Sequence, residues 1–104
     1  MTTSTTRYAL HVPMTDNAGA PINGVHALVR DTLAERFPGF TELDGSGAWL
    51  AGPHVVHEPI RVYVVDSSDP VAPDLFRALA RRVKTLAAQD AVYVTAQPIL
   101  TELI

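Results

Sequence analysis

The hydrophobic residues of this chain switch their repeat from two residues to about 3.6 and back, twice, and that order constrains the fold more than any other feature. Arg7 to Val12 alternates as a half-buried strand does, with Tyr8, Leu10 and Val12 on one side and Arg7, Ala9 and His11 on the other. After a loop from Pro13 to Pro21, the span from Ile22 to Phe37 places Val25, Leu28, Val29, Thr32 and Leu33 on one helical face. Pro38-Gly39 then ends the helix, by a fixed φ and by tolerance of positive φ. A second strand begins at Phe40 to Leu43, breaks at Asp44-Gly45-Ser46-Gly47 as a bulge or short loop, and resumes over Ala48 to Ala51. Gly52-Pro53 turns the chain into a long strand, His54 to Asp66, in which Pro59 marks a bulge or an edge position. Leu75, Phe76, Leu79, Ala80, Val83, Leu86 and Ala87 form a second amphipathic helix, and Ala91 to Gln97 alternates as a fourth strand.

The order β-α-β-β-α-β predicts an α+β, ferredoxin-like domain: a four-stranded antiparallel sheet with two helices on one face and strand order 4-1-3-2. Its 104 residues have room for one domain. We expect a flexible tail over residues 1–6, a single domain over 7–98 and a C-terminal tail over 99–104. The domain is globular, with 47% hydrophobic and 18% charged residues. A net charge of −3 argues against a general nucleic-acid or anionic-membrane binder. The absence of cysteine excludes thiol catalysis, disulfides and cysteine-ligated metals. The first six residues lack a basic signal-peptide start and no apolar run exceeds four residues, so a cytoplasmic protein without a membrane span is expected.

In such a fold one sheet face lies under the helices and the other is open, and strand parity assigns residues to each. Taking Ile60, Val62 and Val64 as buried, and if Pro59 does not flip the phase, the third strand presents His57, Arg61, Tyr63 and Val65. Strand one presents Arg7, Ala9 and His11, and strand four presents Ala91, Tyr93, Thr95 and Gln97. A simple register then aligns Tyr93, His11 and Arg61, with His57 one step beyond. Arg61 would bind an anion bidentately, Tyr93 would stack a planar ring, and a histidine would move protons near neutral pH. The same face would also serve as a homodimer interface, where Tyr, Arg and His are ordinary residues, and the two readings are compatible.

Other signals are weaker. His54 and His57 have an odd separation in a strand, so their rings point to opposite faces and no metal is expected there. His26 reads as a flank residue of the first helix. Gly45-Ser46-Gly47 lacks the Gly-Lys-Ser/Thr ending of a phosphate loop, leaving a glycine hinge that positions Trp49, read as a core residue in preference to a stacking platform. Arg77, Arg81 and Lys84 are spaced i, i+4, i+7 on the second helix, with Arg82 nearby, and form either a solvated face or a docking stripe for an acidic partner. Arg61-Val62-Tyr63-Val64-Val65 lacks the glycine-aromatic signature of the RNA-recognition domain that shares this topology.

At Phe37-Pro38-Gly39-Phe40-Thr41, Gly47-Ala48-Trp49, Glu58 and Val62, the chain resembles a family of small uncharacterised actinobacterial proteins with relatives in phages and plasmids. The likeness runs over about residues 22–98. It implies a ferredoxin-like fold and supplies no catalytic residues. The topology is also similar to that of the dimeric α+β barrel proteins, which hold ligands between the open sheet face and nearby loops; this is fold-level analogy.

These readings favour a small homodimeric binding protein without a cofactor, holding a small anionic or aromatic ligand near His11, His57, Arg61, Tyr63 and Tyr93. In a phage or plasmid setting, the ligand would be a sequestered host signalling molecule. The alternative is a cofactor-independent oxygenase or isomerase, with His11 or His57 as general base and Arg61 steadying an enolate-like anion.

Overall fold

The computed structural model describes residues 2–104. Its elements are β1 (Thr2–Pro13), α1 (Asn23–Arg36), β2 (Thr41–Ala51), β3 (His54–Ser67), α2 (Ala72–Leu86) and β4 (Val94–Glu102), and the sheet order is β2-β3-β1-β4. All three strand pairings are antiparallel. This is the ferredoxin-like arrangement read from the hydrophobic repeats. Among the described residues no helix is long and apolar enough to cross a membrane.

The core forms where β1 and β3, the two central strands, meet the helices. Leu10 and Val12 of β1 and Val65 of β3 pack against Val29 and Leu33 of α1 and Phe76, Leu79 and Val83 of α2. The Tyr8 ring stacks on Phe76 with centroids 5.1 Å apart. Helix α2 ends in a Schellman motif: Gln89 N–H donates to the Lys84 carbonyl at 3.0 Å and Ala88 N–H to the Thr85 carbonyl at 3.3 Å. The left-handed position of that motif, usually glycine, is filled by Ala88 at φ 51°.

Both chain ends extend the sheet. Thr2 to Thr6 pair with Pro98 to Glu102, where the sequence led us to expect loose tails. Their Thr and Ile residues suit extended backbone, and each segment supplies the other's hydrogen-bond partners across 90 or so residues of separation, which no local pattern reveals. Nor does the break expected at residues 44–47 occur: β2 runs continuously through Asp44 to Gly47, paired residue for residue with β3. Beyond the Pro13–Ile60 pair, β2 and β3 continue without β1 as a two-stranded arm. The arm closes on Gly52-Pro53, with Gly52 at φ 61°, as a glycine-first hairpin turn requires. These extensions draw the molecule out to 47 × 28 × 23 Å.

The phase of β3 is opposite to that expected. Tyr63 and Val65 are buried under the helices, and Ile60, Val62 and Val64 lie on the open face. Both parities of this strand are apolar, so alternation alone does not choose between them. The choice is made by His26. This side chain, expected on a helix flank, is 2% exposed. Its Nε2 lies 2.8 Å from the Pro13 carbonyl, which can only accept, so Nε2 carries the proton. Nδ1 therefore accepts from the Tyr63 hydroxyl at 2.6 Å. A tyrosine can be wholly buried at position 63 because this acceptor awaits it.

Candidate functional site

On the open face, a cleft of about 410 Å³ forms where β1, the β2–β3 arm and the segment leading into β4 meet. Strand β1 contributes His11 and Pro13, the arm contributes Gly47, Ala48, Trp49, Glu58 and Ile60, and the segment after α2 contributes Gln89, Ala91 and Tyr93. The register explains the arm's share. Gly47 pairs with Glu58, Trp49 with Val56 and Gly45 with Ile60, so Gly47, Trp49, Glu58 and Ile60 share the parity of the open face.

His11 and Tyr93 come together as the sequence predicts. His11 N–H donates to the Tyr93 carbonyl at 3.0 Å, and the rings meet edge to face with centroids 4.9 Å apart. Burial pushes the His11 pKa below 6.5, so the imidazole is neutral at pH 7. Tyr93 remains 65% exposed and lines the cleft. Trp49, expected in the core, is instead 46% exposed on the opposite wall. The Asn17 amide ties the loop between β1 and α1 to the Ala88 carbonyl, and Gln89 in turn donates to Asn17, which fixes this rim of the cleft.

The other predicted site residues lie elsewhere. Arg61 pairs with Val12 of the core parity and reaches along the helix-side face to Asp44, Nε to Oδ1 2.7 Å. That ion pair holds the Asp44 carboxyl below the usual carboxylate range and raises the guanidinium pKa. Tyr63 is buried against His26, and burial pushes its phenol up. His57 is exposed on the arm, paired with Ala48 and on the face away from Glu58. The predicted row of Tyr93, His11 and Arg61 is therefore off by one residue at β3, since His11 faces Val62. With Arg61 gone, the cleft has no arginine to grip an anion. Sequence reasoning preferred the core for Trp49 over a stacking platform and missed Glu58 and Gln89; the even spacing of Glu58 from Ile60 is the signal that links it to the cleft once the phase of β3 is known.

Arg77, Arg81 and Lys84 are exposed along α2, with Arg77 3.6 Å from Asp74. No group of three or more metal-ligating side chains occurs among the described residues.

The fold and the cleft define a small ferredoxin-like α+β protein with a ring-lined pocket on its open sheet face. Solved structures of similar shape include a phage SAM lyase in complex with S-methyl-5'-thioadenosine, with a TM-score of 0.67 and 14% identity over 95% of this chain and 90% of that one. The phage SAM lyase in the apo state gives a TM-score of 0.66 and 19% identity over 95% and 86%. CutA1 from Oryza sativa gives 0.57 and 19% identity over 92% and 79%. Likeness at this level of identity establishes the fold. No family model and no curated protein matches the chain, so the resemblance to the actinobacterial group rests on the short motifs quoted for it.

Proposed function

We propose that this is a small homodimeric binding protein that holds a flat, ring-bearing small molecule in the cleft between Tyr93 and Trp49. The observation that carries the reading is the cleft itself: two exposed aromatic side chains face a common space of about 410 Å³, beside a neutral histidine. Such a space suits a small organic ligand, and exposed rings supply stacking surface. Dimerisation is supported by the apolar open face. Ile60, Val62 and Val64 are only half-buried there, and Leu43 on edge strand β2 is 53% exposed beside them. A second copy pairing sheet to sheet would cover these residues next to the cleft.

S-methyl-5'-thioadenosine, the compound bound by the phage SAM lyase, carries a purine ring and is a direct probe. Trp49 is the only tryptophan and lines the cleft, so its fluorescence reports on changes there. A saturable change on titration, lost in Tyr93→Ala, is the expected result. Loss of all response to this compound, to adenosine and to other ring ligands at millimolar concentration would overturn the reading.

A catalytic reading has one observation in its favour. His11 is uncharged at pH 7 and lines the same space as Glu58, so it can accept a proton from a bound substrate. His11→Gln separates the two: a binder keeps its ligand with a modest loss, whereas an enzyme loses turnover by about 10²-fold or more.

A further inference from the structure

The charge lining the cleft bears on which ligands it accepts, an inference that rests on the binding role proposed above. Glu58 is the one carboxylate among the cleft residues, and no lysine or arginine lines the space. Its side chain is half-buried and has no hydrogen-bond or ion-pair partner among the described residues. An adjoining hollow of about 430 Å³ shares Trp49, Glu58 and Gln89 and adds Asp90, again with no basic residue. The basic side chains of the sheet and of α1 that make ion pairs are committed elsewhere: Arg7 to Asp66, Arg30 to Glu42 and Arg61 to Asp44. The last two pairs lie on the helix side of the sheet. The neutral His11 imidazole does not offset the Glu58 charge.

A half-buried carboxylate without an ion-pair partner, lining the same cleft as two exposed aromatic rings, suits a cation. Aromatic faces attract positive charge through their quadrupoles, and a carboxylate supplies the full counter-charge in a space partly shielded from water. We propose that the cleft selects a ring-bearing organic cation, its ring lying between Tyr93 and Trp49 and its positive charge against Glu58. The anionic ligand expected from the sequence would meet Glu58 as a like charge.

The test compares two probes that differ in charge and one methyl group, 1-methylnicotinamide and nicotinamide, followed by the indole N–H resonance of Trp49. The expected result is binding of the cation about 10-fold or more tighter than the neutral ring, which is the affinity ratio that corresponds to ~1.4 kcal/mol. Glu58→Gln should bring that ratio to roughly one while the neutral probe binds as before, with an unchanged circular dichroism spectrum confirming the fold. Equal binding of the two probes, or a preference that survives Glu58→Gln, would overturn the cation assignment and leave the cleft as a general ring site. No shift with either probe, together with none for S-methyl-5'-thioadenosine, would overturn the cleft as a binding site and this inference with it.

Discussion

Replacing Tyr63 by phenylalanine isolates the contact that decides which way β3 faces. The substitution keeps the buried ring and deletes one oxygen, leaving His26 Nδ1 without the donor now 2.6 Å away. His26 is 2% exposed, so water does not take the hydroxyl's place. An unsatisfied buried acceptor costs about 1–3 kcal/mol, and we expect a loss of about 2 kcal/mol. For a domain of this size that is a fall in Tm of roughly 8–16 °C, taking about 4–8 °C per kcal/mol.

The assay is thermal and urea unfolding followed by circular dichroism, at one fixed protein concentration because association shifts apparent stability. A companion His26→Leu removes the acceptor and strands the Tyr63 hydroxyl and the Pro13 carbonyl. In the double variant only the Pro13 carbonyl is left without its donor, so the losses should fall short of additivity by about 1 kcal/mol or more. A Tyr63 on the open face, as the alternation of β3 alone allows, would make Tyr63→Phe nearly silent. A loss under about 0.5 kcal/mol, or strict additivity of the two substitutions, would refute the buried pair and with it the placement of Arg61 and Glu58 on opposite faces.

Three further outcomes are expected. Ala88→Gly places the residue that tolerates positive φ at the left-handed position of the α2 Schellman motif and should stabilise the protein by about 1 kcal/mol, read as a rise in urea midpoint. Acidification should weaken the fold earlier than its carboxylates require. Burial lowers the pKa of both His26 and His11 from 6.5, so the unfolded chain takes up their protons first. Stability from these groups is complete above pH 6.5 and lost as the pH falls through the lowered values, and His26→Leu should flatten that slope in pH-dependent urea titrations. Leu43→Glu, on an exposed edge-strand site outside the core, should convert the proposed dimer to a monomer in sedimentation velocity and leave the circular dichroism spectrum unchanged.

How much of the molecule was legible depends on how each strand distributes its polar residues. In β1 the charged Arg7 and the polar His11 stand on one parity and the large apolar residues on the other, so its orientation follows from the sequence. The same holds around Tyr93, which is why the His11–Tyr93 contact was foreseen. In β3, Ile60, Val62 and Val64 compete with Tyr63 and Val65, and the arginine at 61 leans toward the wrong answer because arginines are usually exposed. That bias fails here because Asp44, across the pair on β2, gives the guanidinium a counter-charge on the helix side. His26, which is 37 residues from Tyr63, settles the matter through a contact no local pattern encodes. One residue of phase has a large consequence for the lining of the cleft. It removes the cleft's only arginine and brings Glu58 and Trp49 to the wall in its place. The open-face cleft therefore keeps His11 and Tyr93 of the residues read from the sequence, while the charged side chain on its wall is a carboxylate and not the expected guanidinium.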